Sequence, residues 1–584
     1  VSSPTKALGR YWRLLSHYLR PHRLQIALLA LTLLATIAVQ VATPFVASEF
    51  INRAAAGEPR RALITLALLT MGLAIAGQLL AVAETWAAEH VSWDATNALR
   101  ADLASHLLRL DATYHASHSQ GELIERVDGD VATLARFFSR FVVSVLGNLL
   151  LVIGMIALLI RVDWRIGLGL AGFVLVALWA MMRIRGSATH HWDAERQGSA
   201  EFYGFLGEYL AGLEDVRSSG ATAFVMRRCA EAMRHWLTVV RRAQMRGYAL
   251  VATSELSFGL ATAFVFALAA LRYREGALTL GTVYLVVRYT AMLREPTEQL
   301  RNEVQDFQQA DASLSRVETL LATQPMLVDG PRPALPDGPL DVALDHVTFG
   351  YDHDRDVLHD LSIHLGGGRV LGVMGRTGSG KTSLIRLVPR FHDPRAGTVR
   401  IGGVDVREVT LAGVRSRIGL VTQDVNLFAA TVRDNLTLFD ATVPDERIVT
   451  ALDEVGLGSW LANLPNGLDT ALGAHGAGLS AGQAQVLACA RVLLRDPDVM
   501  ILDEASSRLD PATERLVHRA LGRLLAGRTG IIVAHRLSTF AYADDILVLE
   551  DGRVLEHGPR LELAADPDSH YARLLRLAAE EVAR

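Results

Sequence analysis

The sequence predicts a helical membrane domain followed by an α/β domain, and three observations carry that prediction. Six long apolar runs lie before residue 325. A proline cluster, Pro325, Pro331, Pro333, Pro336 and Pro339, follows them together with Gly330 and Gly338. Beyond it, short apolar runs of strand length alternate with helical stretches, and one of them runs straight into a glycine-rich loop.

Composition narrows the classes first. The 584 residues have room for two to four domains. With 58 Lys+Arg against 62 Asp+Glu, the chain lacks the basic excess of a dedicated nucleic-acid binder. Half of the residues are hydrophobic, which excludes disorder. Cys229 and Cys489 alone cannot form a disulfide framework, and no Cys/His cluster has zinc spacing. Because the chain opens on Val1, an initiator methionine is expected to have been trimmed.

Crossing about 30 Å of hydrocarbon takes about 20 apolar helical residues. Six runs qualify as spans: Leu24–Val46, Ala62–Ala83, Phe141–Ile160, Ile166–Met182, Tyr248–Leu271 and Leu278–Leu293. The first is too long for a signal peptide and has no small-residue cleavage site after it. Before it, Tyr11–Arg20 is aromatic, basic and amphipathic, which suits a helix at the bilayer surface. Lys6, Arg10, Arg13, Arg20 and Arg23 precede Leu24 with no acid among them, so the N-terminus is expected in the cytoplasm. Six crossings return the chain to the same side. Short outer loops and long inner connections, near 84–140 and 183–247, agree with that orientation. Glu84 closes the second span, while Glu255 and Arg288 lie inside the fifth and sixth. Intramembrane charges face a cavity or a partner, or else sit near span ends where headgroups reach them.

Proline removes a helix donor and fixes its own φ, so the cluster reads as a linker. It sets the expected domains at 1–325, a linker at 326–340, and 341–584.

In the second part, Val370–Met374 has the length and apolarity of a buried strand. Gly375-Arg376-Thr377-Gly378-Ser379-Gly380-Lys381-Thr382-Ser383 follows, and Leu384–Val388 continues as a helix. This is the G-x-x-x-x-G-K-[ST] phosphate loop in its strand–loop–helix setting. Glycines let backbone N–H groups turn toward phosphate, the helix end adds a positive dipole, Lys381 reaches the β/γ phosphates, and Thr382 ligates Mg²⁺. Asp498–Leu502 is a second strand, ending in Asp503-Glu504. Adjacent acids there suit a cation and an attacking water: Asp503 for Mg²⁺ and Glu504 as the base. Ile531–Ala534 is a third strand, ending at His535, which suits a γ-phosphate contact.

Between loop and acids lies Leu479-Ser480-Ala481-Gly482-Gln483. It resembles the LSGGQ signature of ATP-binding cassette ATPases. Gln423 resembles their Q-loop residue, Tyr351 the aromatic that stacks on adenine, Ser507–Asp510 the D-loop and His535 the switch histidine. With six spans in front, the whole chain resembles a half-transporter of the type IV exporter fold. Gly121–Val131 resembles the segment after a first coupling helix near Ala112–Gln120, and the second would lie near Gly212–Ser219.

The resemblance implies ATP and Mg²⁺, with Thr382, Gln423 and Asp503 at the metal and Glu504, His535 and Gln423 at the chemistry. It implies that Ser480, Gly482 and Gln483 face ATP held by a second cassette, so that a dimer is obligatory. It further implies an integral protein of a bacterial inner membrane, with a cytoplasmic cassette, exporting a drug, lipid or peptide. An importer on the same fold, or a mainly regulatory half, is the alternative.

Departures from the family pattern point to the partner. Ala481 replaces the first glycine of the signature, Ala484 and Val486 replace arginines, and Leu472–Gly476 lacks a glutamate, while Lys381, Asp503, Glu504 and His535 are intact. That asymmetry resembles heterodimeric exporters with one degenerate site, so a different chain is expected as partner in preference to a second copy.

Overall fold

The computed structural model describes residues 4–140, 145–352, 355–473, 479–503, 511–534 and 537–582. The chain forms two units, Val1–Leu108 with Gln120–Thr323, and Arg109–Ser119 with Gln324–Arg584.

Every regular element among the described residues of the first unit is a helix. Its helices are α1 (Pro4–Leu19), α2 (Arg23–Ala55) and α3 (Arg60–Arg109), which ends in the second unit. The short α4 (Ala112–Ser117) belongs wholly to that second unit. There follow α5 (Asp130–Arg140), α6 (Asn148–Val162), α7 (Trp164–Ala211) and the short α8 (Leu213–Ser218). The last three are α9 (Thr222–Arg274), α10 (Leu280–Met292) and α11 (Arg294–Ala322).

Every apolar run lies on a helix, with 141–144 of the third outside the described residues. Among the described residues, four segments are long and apolar enough to cross a bilayer: Ser16–Ala55, Arg60–Arg109, Val145–Val162 and Thr222–Arg274. The fourth run occupies the shorter apolar stretch Trp164–Ala180, and the sixth occupies α10. The membrane core gathers Met155, Leu159, Ile166, Val286, Tyr289 and Leu293. Outside it, Leu31, Leu34, Leu68, Leu79 and Val82 are exposed, a surface made for lipid or other helices rather than water.

Side-chain contacts add detail at α1 and at Glu255. Helix α1 exists, but its Arg10 pairs with Asp311 at 2.5 Å and Glu318 at 3.2 Å on α11, and Tyr18 donates to Asp102 at 3.0 Å. These groups of the predicted bilayer-surface helix contact protein. Glu255 pairs with Arg294, and Arg294 also reaches Glu298 at 3.3 Å.

The second unit holds two sheets. The smaller has the order β2-β1-β4-β5, from Leu358–Leu365, Val342–Phe349, Ala396–Ile401 and Val404–Asp405. The larger has the order β10-β9-β3-β8-β7-β6. Its strands are β3 (Val370–Gly375), β6 (Ile418–Val421), β7 (Val499–Asp503), β8 (Thr529–Val533), β9 (Asp545–Glu550) and β10 (Arg553–Pro559). Strands β9, β3, β8, β7 and β6 run parallel, and only β10 is antiparallel. Their near-continuous apolar sequences follow from being covered on both faces.

The proline-rich stretch is packed, not a loose spacer. Gly330 and Arg332 donate backbone hydrogen bonds to Val409 and Glu408 at 3.2 and 2.9 Å. Leu335 and Leu340 are buried in the core of the second unit. Proline supplies the extended backbone that lets this segment lie along the domain.

Candidate nucleotide site

In parallel sheets, ligands bind beyond the carboxyl ends of the strands. The loop after β3, Asp503 and Gln423 lie at that edge of the larger sheet. Val373 is in register with Val533, and Val533 with Asp503. Asp503 therefore ends β7 level with Val373, two residues before Gly375. On the far side of β7, Val421 pairs with Leu502, and exposed Gln423 follows two residues later. Glu504, Ser507–Asp510 and His535 lie outside the described residues.

The loop after β3 has the shape that its glycines allow. Gly375 has φ +148° and Gly380 φ +100°. A Cβ at Gly375 would stand 2.3 Å from the Leu549 carbonyl oxygen and 2.5 Å from Ser379 Oγ. Lys381 is buried, and its Nζ donates to the carbonyls of Gly375 and Arg376 at 2.7 and 2.9 Å, which holds the cation inside the loop. Ser379 Oγ is buried with no hydrogen-bond partner among the described residues. Arg376, Thr377, Gly378 and Thr382 are exposed at the mouth. An enclosed ammonium, an unsatisfied hydroxyl and a backbone cradle that a side chain would fill all suit a polyphosphate.

Tyr351 stands at the edge of this loop. Its hydroxyl lies 3.2 Å from Ser383 Oγ, and its ring meets Phe349 and His392 edge-on at 5.0 and 5.2 Å. Beside it opens a cleft of about 370 Å³, lined by Thr113, Leu327, Phe349, Tyr351, His392 and Arg395 among others. His392 Nδ1 shares a 3.1 Å hydrogen bond with Thr113 of α4, within the second unit. Burial, aided by nearby Arg386, holds the His392 pKa below its ordinary value, against the pull of Asp111 and Asp393. Sequence reasoning missed His392 and Thr113, because nothing local marks a contact between residues so far apart.

Ser480 is the N-cap of the helix Ala481–Leu494. The Gln483 N–H donates to Ser480 Oγ at 3.1 Å, and the Ser480 N–H donates to Gln483 Oε1 at 3.0 Å. This capping box fixes the signature segment at a helix start. Ala481 occupies the first helical position and is exposed, while Gly482 is buried. Val486 is fully buried in the apolar core, so this face of the helix has no room for a solvated arginine.

Comparison with known proteins agrees with this geometry. Residues 26–297 match the family model described as ABC transporter transmembrane region, and residues 358–507 match that of ABC transporter. An ATP-dependent lipid A-core flippase of Chromobacterium violaceum is 30% identical over 98% of this chain and 96% of its own length. The mycobactin import ATP-binding/permease protein IrtA of Mycobacterium tuberculosis is 32% identical over 98% of this chain and 66% of that longer protein. A solved bacterial Atm1-family ABC exporter with ATP bound superposes with a TM-score of 0.80 at 28% identity, covering 95% of this chain and 98% of that one. The chain therefore belongs to the ABC transporter family, as a transmembrane region fused to an ATP-binding cassette that couples ATP hydrolysis to transport.

Proposed function

We propose that this protein is one half of a two-chain exporter that moves an amphipathic or hydrophobic substrate out of the cell. The observation that carries the reading is the alignment of the phosphate loop, Asp503 and Gln423 at the carboxyl ends of parallel strands of one sheet, on the same chain as an apolar helical unit. The relatives named for lipid A-core flipping and the fold of an ABC exporter support outward movement. The relative named for import keeps the opposite direction as the second reading.

On this reading the membrane unit crosses a bacterial inner membrane six times, with the N-terminus and cassette in the cytoplasm. Residues 1–325 form that unit, 326–340 the connection, and 341–584 the cassette. Tyr351 stacks on adenine. The backbone of Gly375–Gly380, with Lys381 and Ser383, holds the phosphates. Thr382, Asp503 and Gln423 hold Mg²⁺, which neutralises charge developing on the transferred phosphoryl group. Glu504 activates water, and His535 contacts the γ-phosphate. Ser480, Gly482 and Gln483 face ATP bound to the other chain. Helices α4 and α8 carry the cassette's state to the membrane helices, an element that ATP biases between two conformations.

The partner is a different chain with its own signature, because Ala481 weakens the site that this chain completes. ATPase in lipid tests both points. The chain alone should turn over slowly and without cooperativity, and adding the partner should restore cooperative hydrolysis. Glu504→Gln should then remove most turnover at the consensus site while keeping ATP binding. Robust, cooperative turnover by the chain alone would overturn the heterodimer. Undiminished turnover in the glutamine variant would overturn the base. Substrate uptake into inside-out vesicles separates export from import.

A further inference from the structure

Helix α10 (Leu280–Met292) buries one face against α2 and α9 and leaves the other uncovered within the chain. Gly281, Leu285, Val286 and Tyr289 are buried, whereas Leu280, Tyr284, Arg288 and Ala291 are exposed. Two ties give the depth of this face. At the outer end, the Gly281 N–H donates to Asn52 Oδ1 at 2.8 Å. Deeper, the Tyr289 hydroxyl donates to the Val41 carbonyl at 2.6 Å. Val41 lies about 16 Å along α2 from Asn52, the residue tied to Gly281, and Arg288 about 13 Å along α10 from its cap at Thr279, at 1.5 Å per residue. In a hydrocarbon layer of about 30 Å, both measures put Arg288 near mid-depth.

The charge there is unlike the others. Glu255 and Arg294 pair with each other, about 22 Å from Thr279 on the Arg294 side and so near the inner boundary. Arg272 pairs with Asp163 at 2.9 Å at the outer boundary. Among the described residues Arg288 has no ion pair and no hydrogen bond. Facing lipid at mid-depth is costly for an arginine, and snorkelling serves only those near helix ends. A second copy of this chain has no spare carboxylate to offer at that level among the described residues. Glu49 pairs with Arg53 at 2.7 Å near the outer end, Glu84 is buried, and Glu255, Glu295 and Glu298 lie near the inner boundary, the first and last of them held by Arg294.

We propose that Arg288 is an anion-binding group in the translocation path, and that the substrate is an amphipathic anion. The inference rests on the transporter reading above and adds the substrate class. The guanidinium takes the acidic head by paired N–H donors, and Tyr284, one turn outward on the same face, takes apolar surface. Amphipathic cations are disfavoured by the same charge.

The test uses the full chain with its partner in lipid nanodiscs, without ATP, and empty nanodiscs as the control. Binding of dodecyl phosphate, dodecyltrimethylammonium and dodecyl maltoside is measured below their micellar concentrations. Dodecyl phosphate should bind at least tenfold more tightly than the other two. Arg288→Ala should lose that tenfold preference with maltoside affinity retained, and Arg288→Lys should keep part of it. A membrane-impermeant thiol reagent should label Arg288→Cys, with dodecyl phosphate protecting it. An unchanged phosphate preference in the alanine variant overturns the proposal, as does a cysteine that the aqueous reagent never reaches. Loss of the two-chain complex in the alanine variant also overturns it, by assigning Arg288 to an ion pair with the partner. Failure of the transporter reading would appear separately, as absent ATP-dependent transport of any probe by the unaltered complex.

Discussion

Replacing Ser480 separates two jobs that one hydroxyl is asked to do. In the free chain its Oγ accepts from the Gln483 N–H at 3.1 Å as the cap of Ala481–Leu494. In the proposed dimer it faces the γ-phosphate bound to the other chain. Loss of an N-cap costs about 1 kcal/mol, within a range of about 0.5–2. For a domain of cassette size that shifts the unfolding midpoint by about 2–4 °C. Ser480→Ala should therefore lower the midpoint by that amount and also lower ATPase. Ser480→Asp is the discriminating variant, because aspartate caps as well as serine does and favours the positive helix end. Its midpoint should stay within about 1 °C of the unaltered protein, since caps of equal rank differ by little. Its carboxylate would stand near phosphate, where two like charges about 4 Å apart cost about 4 kcal/mol at an effective dielectric of 20. At about 1.4 kcal/mol per decade, closure of the site that Ser480 completes would weaken by about a thousandfold. The assays are a thermal melt of the chain in detergent and ATP-dependent dimer closure with its partner. Equal destabilisation by alanine and aspartate would refute the cap. Closure at the normal ATP concentration in the aspartate variant would refute the placement of Ser480 against phosphate.

Two other perturbations address the rim of the site. Tyr351→Ala should weaken ATP binding by about 5- to 100-fold, the usual range for a base losing its aromatic platform. Tyr351→Phe, which loses only the contact with Ser383 Oγ, should stay within about threefold by fluorescent-nucleotide titration. The His392 pKa is lowered on folding, mainly by burial, so the folded chain binds its proton less well than the unfolded chain. The stability this gives is complete above about pH 7. It is lost as pH falls through about 6.5 toward the folded-state value. His392→Gln should flatten that part of the melting-temperature profile between pH 5 and 8, and an unchanged slope would assign the acid sensitivity elsewhere.

How much could be read in advance depended on whether the cause was local. Strand, loop and helix at 370–388 are legible because the glycines, the lysine and the apolar run are contiguous. The short helices at Ala112–Ser117 and Leu213–Ser218 fall where the expected coupling segments lie, each bounded by residues that interrupt a long helix. Contacts across the chain left no such trace. Nothing near Arg10 announces Asp311, and nothing near Glu255 announces Arg294, because long-range ion pairs need only a reachable charge. The proline cluster announced an interruption of helix, and so read as a spacer. Its packing against Val409 and burial of Leu340 depend on a distant surface that periodicity cannot see.

Among the departures that point to a different partner, Ala481 adds one methyl group, and its place in the helix narrows what that methyl can do. A glycine in the signature has two conceivable uses, a backbone conformation barred to other residues or close approach by a ligand. Ala481 is the first residue of a regular helix, where alanine is at least as favourable as glycine, so the conformational use drops out. Close approach remains, since the residue is exposed at a helix start between Ser480 and Gly482. Ala481→Gly should then leave ATP binding at this chain's own phosphate loop unchanged and strengthen closure of the site its signature completes. The helix should lose a few tenths of a kcal/mol to about 1 from the added backbone freedom. Measured as the ATP concentration needed for half-maximal dimer closure, the gain should reach about tenfold if the methyl holds the phosphate off by one weakened hydrogen bond, worth about 1.5 kcal/mol to a charged group. No gain would mean that the methyl is accommodated and that the site is not degenerate by this residue.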